Sequence, residues 1–159
     1  MAVSLLLLAL GGCSYDSLTL KQFDHPDEHV ASIQADPNAL TIVLLRPNSF
    51  FYYGYDIDVY MNDTKEVALK NQSFSVVKMP LDSVLVRGQS GLLGPHTKTI
   101  RVESHLGQVV YLSWENKTDY TDYTPVGPIV HFDWRIVSND QANADLKALQ
   151  YVHPAPEGK

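Results

Sequence analysis

Hydrophobic positions in this chain fall into three regimes. Residues 5–10 form a short unbroken apolar run, residues 14–38 are mostly polar, and from residue 39 apolar and polar positions alternate. Alternation with a period of two sends successive side chains to opposite faces of a strand. Residues 39–46, Ala-Leu-Thr-Ile-Val-Leu-Leu-Arg, form an apolar run suited to a central strand. In residues 55–61, Tyr55, Ile57, Val59 and Met61 share one face, and Asp56, Asp58 and Tyr60 share the other. Asn62-Asp63 supplies turn chemistry, and Val67 and Leu69 continue the alternation over 65–70. Asn71-Gln72 turns the chain again into a strand over 73–79. Further strands are predicted over 83–87, 98–103, 108–114 and 129–137. In the last of these Val130, Phe132, Trp134 and Ile136 line one face.

Only residues 139–151 read as helical. Asn139 or Asp140 can cap them, Ala142, Leu146 and Leu149 recur at helical spacing, and Pro154 and Pro156 follow. The pattern predicts a mainly β domain: an antiparallel β-sandwich of about eight short strands, transthyretin- or immunoglobulin-like, with one short C-terminal helix.

The apolar run at the N-terminus is too short for a membrane-spanning helix, which needs about 20 residues. It leads into Leu10-Gly11-Gly12-Cys13, and Cys13 is the only cysteine. An aliphatic residue and two small residues before a cysteine resemble a lipobox, the site where bacterial lipoproteins are acylated and cut. Small residues let the backbone lie extended in a peptidase groove. The alternative is that residues 5–10 open a buried strand or helix and Cys13 is an ordinary buried thiol. The lipobox reading divides the chain into a signal peptide (1–12), an acylated Cys13 with a flexible tether (13–38) and a sandwich domain (39–159). As coil, residues 14–38 would average roughly 25–30 Å end to end. Ser14 rather than Asp follows the cysteine, which by resemblance to enterobacterial lipoproteins directs the protein to the outer membrane.

Charge and composition narrow the function classes. With 159 residues, 12 basic against 18 acidic, the chain carries a net charge of −6, and residues 1–12 contribute none of it. An acidic chain of this kind lacks the electrostatic footprint of a nucleic-acid binder, and it would not dock on anionic lipid by charge. A single cysteine consumed by lipid leaves none for disulfides, which a domain of about 120 residues can do without.

Several segments carry a family resemblance. These are Thr41-Ile42-Val43-Leu44-Leu45-Arg46-Pro47, the Phe50 to Gly54 loop, Ile57-Asp58-Val59-Tyr60-Met61-Asn62-Asp63, Ser73-Phe74-Ser75-Val76-Val77 and Gly107-Gln108-Val109-Val110-Tyr111-Leu112. Over residues 38–150 they resemble a family of small bacterial lipoproteins built on a domain of unknown function (DUF2846-like). The resemblance implies a β-sandwich and carries no activity with it.

Candidate sites are few. His25-Pro26-Asp27-Glu28-His29 sets two histidines four apart, but Pro26 stands between them and a zinc site needs three or four ligands; no metal or other cofactor is expected. Phe50-Phe51-Tyr52-Tyr53-Gly54-Tyr55 and Asp119-Tyr120-Thr121-Asp122-Tyr123-Thr124 are the most unusual stretches. Tyr52, Tyr53, Tyr120 and Tyr123 would serve either as a recognition surface between strands or as caps on the open ends of the core. Gln89-Ser90-Gly91-Leu92-Leu93-Gly94-Pro95-His96 lacks the spacing of a nucleophile elbow or a phosphate loop. His105 and His131 read as solvated strand residues, and the Asn62, Asn71 and Asn116 sequons as turns. No catalytic constellation is present, so no enzyme activity is expected. The expectation is a lipid-anchored protein of the bacterial envelope that binds the membrane through Cys13 and meets a protein partner there. The alternative is a small-molecule or glycan binder using the tyrosine loops.

Overall fold

Strand β1 (Leu40–Arg46) is buried along its whole length, and the molecule is built outward from it. The computed structural model describes Val30 and residues 33–49, 54–90, 96–116, 123–124, 127–128 and 131–155. The strands after β1 are β2 (Ile57–Met61), β3 (Thr64–Leu69), β4 (Ser73–Met79), β5 (Ser83–Ser90), β6 (His96–Glu103) and β7 (Val109–Asn116). Two-residue strands β8 (Tyr123–Thr124) and β9 (Gly127–Pro128) pair with each other. Strand β10 (Phe132–Val137), helix α1 (Asn139–Leu146) and β11 (Gln150–Tyr151) complete the chain.

Two sheets face each other. One has the order β10-β7-β1-β4-β11, the other β3-β2-β5-β6. The sandwich with a single C-terminal helix is the expected architecture, and the four-stranded sheet is wholly antiparallel. The five-stranded sheet is mixed: β1 runs antiparallel to β4 but parallel to β7, and β11 runs parallel to β4. Local alternation sets which face of a strand is apolar. It does not set strand direction, which depends on how the connections cross between sheets.

Both faces of β1 are needed because the molecule has two cores. Inward, Leu40, Ile42 and Leu44 pack with Ile57, Val59 and Met61 of β2, Val84 and Val86 of β5, and Leu112 and Trp114 of β7. Outward, Val43 and Leu45 join Phe74 of β4 and Ala142, Leu146 and Leu149 at the helix. Val30 and Ile33 pack against this outer cluster, and Asp36 bridges to Ala39, so the packed region reaches back into the stretch read as tether.

The hairpin between β2 and β3 turns on Asn62 and Asp63, both at positive φ (47° and 69°), which the two-residue turn matching strand twist requires. Helix α1 is capped by Ser138, one residue before the expected caps, whose extended backbone lets its hydroxyl accept from the Gln141 amide. The helix is also shorter than expected. It ends at Leu146, and the chain turns extended to pair along the edge of β4, where Gln150 and Val152 donate to the Gln72 and Phe74 carbonyls. An open edge offers backbone partners that five more residues of helix would not. Ile136, expected in the core, is 60% exposed because β10 is the edge of its sheet.

Candidate functional site

The last inward position of β1 holds Arg46 in place of an aliphatic side chain. It is 3% exposed, and its guanidinium Nη1 donates to the Leu69 carbonyl oxygen at 2.6 Å. Burial lowers its pKa to about 10, with the Asp56 carboxylate pulling the other way, so it keeps its charge at neutral pH. Ser73 pairs with it across β4, and its hydroxyl donates to the Lys70 carbonyl. Asn71 braces the two connections beside it: its side-chain oxygen accepts from the Ser49 amide and its Nδ2 donates to Asn48 Oδ1.

Next to Arg46, one step beyond the Leu45–Ser113 pair, Trp114 points to the same inward face. Trp134, its cross-strand partner on β10, meets it edge to face at 4.9 Å, and Phe132 stacks on it at 6.0 Å. Gly88 of β5 lies directly opposite. A Cβ there would stand 2.5 Å from the Trp114 ring and 2.9 Å from Trp134 Nε1. Both indole N–H groups are buried without a hydrogen-bond partner, a cost of about 1–3 kcal/mol each that the rings offset by filling the end of the core.

Strand polarity gathers much of the chain's unusual sequence at this end. The parallel pairing of β1 and β7 brings Arg46 and Asn116 to the same end, where β2 and β10 begin, β5 ends and β6 begins. The described residues flanking both tyrosine-rich stretches and the glycine-containing 91–95 connection therefore meet there. Tyr52, Tyr53 and Tyr120 lie outside the described residues. Tyr123 is placed by its backbone, paired with Pro128. Cys13, His25 and His29 also lie outside.

Sequence reasoning placed Arg46 at the end of a strand and Asn71 in a turn, but missed the burial of the first, the bracing by the second and the packing of two tryptophans on Gly88. A signal for the last was available, since a glycine inside a strand pattern marks a close approach; the predicted strand stopped at Arg87, one residue short of it. Among the described residues no group of three or more His, Cys, Asp or Glu is placed to hold a metal ion. Among the described residues, the buried hydroxyls of Thr41, Ser75 and Ser113 have no hydrogen-bond partner. No helix among the described residues is long and apolar enough to cross a membrane. No family model, curated protein or solved structure matches the chain.

Proposed function

We propose that this protein is a lipid-anchored lipoprotein of the bacterial cell envelope that acts without catalysis, as an interaction or envelope-maintenance module. The observation that carries the reading is Cys13, the sole cysteine, set behind an apolar run and Leu10-Gly11-Gly12. Acylation there and cleavage before it would leave residues 14–29 as the link to Val30, the first described residue. Such an anchor would hold the domain near the bilayer and raise its effective concentration for partners in the same layer. The resemblance to small bacterial lipoproteins belongs to the same reading, and Ser14 favours the outer membrane.

The test is the intact mass and membrane partition of the protein beside Cys13→Ser, both made in a bacterial host. A mature species that begins at Cys13 and carries acyl mass is expected, with both mass and membrane association lost in the variant. An unprocessed protein that stays in the soluble fraction in both cases would sink the proposal.

A second reading rests on where the tyrosine stretches attach. Their described flanks meet at the Arg46 end, so a small molecule or glycan held between the two loops by Tyr52, Tyr53, Tyr120 and Tyr123 is the alternative. A ligand that raises the melting temperature in proportion to its binding would be its signature.

A further inference from the structure

Each of the two facing sheets has two edges, and at three of the four the chain itself takes up an outward-facing peptide group. β11 lies along β4, where Gln150 and Val152 donate to the Gln72 and Phe74 carbonyls. Past it, the Ala155 amide donates to the Glu66 carbonyl on β3. At β10 a side chain does the same. The Thr41 amide donates to the Gln108 carbonyl, so in the parallel ladder the peptide groups of Val110, Leu112 and Trp114 turn towards β1. Trp134, opposite Trp114, therefore turns its own amide outward, and the Asp133 carboxylate accepts it at 2.9 Å.

Strand β6 is the exception. One step beyond the Ser83–Glu103 pair, the Ser104 amide donates to the Asp82 carbonyl at 2.9 Å. That bond fixes the phase of the ladder. The peptide groups of Lys98, Ile100 and Val102 face β5, and those of Thr97, Thr99, Arg101 and Glu103 face away from it. Among the described residues nothing bonds to these outward groups, and the four residues that carry them are exposed. A row of unpaired N–H and C=O groups along an eight-residue edge is a template for another strand.

Charge decides which strand fits. Among the described residues neither Lys98 nor Arg101 has a carboxylate partner; Arg101 reaches only the Ser83 hydroxyl, at 3.4 Å. In a chain of net charge −6, this edge sets two cations against the single carboxylate of Glu103. A second copy laid antiparallel so as to use all four outward residues would oppose Ile100 to Ile100 and bring two Arg101 side chains together on the diagonal. Like charges so placed disfavour a second copy, whereas carboxylates opposite Lys98 and Arg101 favour a different chain. Across the sandwich β6 meets β10, whose Ile136 is 60% exposed, so apolar residues on the inner side of an added strand have a surface to cover.

We infer that the open edge of β6 takes an added antiparallel strand from a protein partner, an extended segment with carboxylates opposite Lys98 and Arg101. The inference gives the interaction module proposed above its contact surface, so it rests on that reading, though not on the anchor at Cys13.

Amide exchange in the full chain is the test, because the ladder requires an alternating pattern. The probe is acetyl-Lys-Val-Glu-Val-Thr-Glu-Thr-amide, whose residues lie opposite positions 103 back to 97. With it the amides of Thr97, Thr99, Arg101 and Glu103 should exchange several-fold more slowly. Those of Lys98, Ile100 and Val102, already bonded to β5, should not change. The same peptide with lysine in place of both glutamates should slow none of them. Thr99→Pro removes one outward donor and no bond to β5, so the domain should keep its fold and lose the response. K98E/R101E should lose it with every backbone donor in place. Equal slowing by both peptides, or none by either, overturns the inference. So does slowing that grows with protein concentration without peptide, which would place a second copy on the edge. Outward amides that are slow in the free chain and quicken when residues 14–29 are deleted would place the chain's own segment there, and overturn it too. A silent edge on a chain that carries acyl mass leaves the anchored reading standing; a responsive edge on a chain without acyl mass removes only the anchor.

Discussion

A methyl group at position 88 would stand 2.5 Å from one indole and 2.9 Å from another, closer than carbon atoms approach in proteins. Neither ring can swing away, because Trp114 is wedged between Trp134 and Phe132. Gly88→Ala should therefore cost about 1–3 kcal/mol in urea unfolding, despite the better strand propensity of alanine. Combining it with Trp114→Phe should recover part of that loss, which a purely backbone effect would not allow. Two tyrosines give the molecule a pH response at the alkaline end. Burial raises the pKa of Tyr111 and of Tyr151, both packed against the outer core. The unfolded chain ionises its tyrosines near the ordinary value of about 10, while the folded chain holds these two protonated. The folded state then binds more protons than the unfolded one, so stability is level below pH of about 10 and falls as pH rises above it. Tyr111→Phe should flatten that fall in denaturant titrations across the alkaline range, leaving stability at neutral pH little changed.

Among the elements, β1 and β11 sit at opposite ends of legibility. The unbroken apolar stretch of β1 announces a central strand, and β1 lies between β7 and β4; that both its faces are buried, Val43 and Leu45 on one side and Ile42 and Leu44 on the other, is a finding of the structure. β11 is two residues long and has no pattern of its own; Gln150 and Tyr151 become a strand only because the edge of β4 lies beside them. After it the chain crosses from one sheet to the other, with the Ala155 amide donating to the Glu66 carbonyl of β3 and Val152 packing into the inner core. A chain truncated after Leu149 should lose this strap and bare the β4 edge. A melting temperature lowered by several degrees is expected, together with self-association visible by light scattering at raised concentration. The helix teaches the same point more gently. Ala142 and Leu146 were readable as its buried face, but its end was decided by the competing hydrogen bonds of β4.

For the whole molecule, the ordering of strands matters more than their number. β1 and β7 are far apart in the chain yet pair in parallel at the centre of the larger sheet. Loop-closure entropy must be met before that pairing forms, so refolding should be slow, on a scale of milliseconds to seconds, in stopped-flow tryptophan fluorescence. Trp114 on β7 reports the step directly. The same ordering divides the domain into two unlike ends, one with buried Arg46 and the flanks of the tyrosine stretches, the other with the incoming chain and exposed leucines.

Alternation along the chain by itself determined that the domain is a β-sandwich, which face of most strands is buried, and where the β2–β3 turn falls. These are local consequences of side-chain period and turn chemistry, and neighbouring residues suffice to specify them. Only the tertiary structure decided that the central pairing is parallel, that Ile136 is left exposed on an edge strand, that Gly88 makes way for two tryptophans and that Arg46 is buried with its charge. Each of these depends on which distant strand lies alongside or opposite, and a sequence pattern carries the face of a residue but not the identity of what meets it.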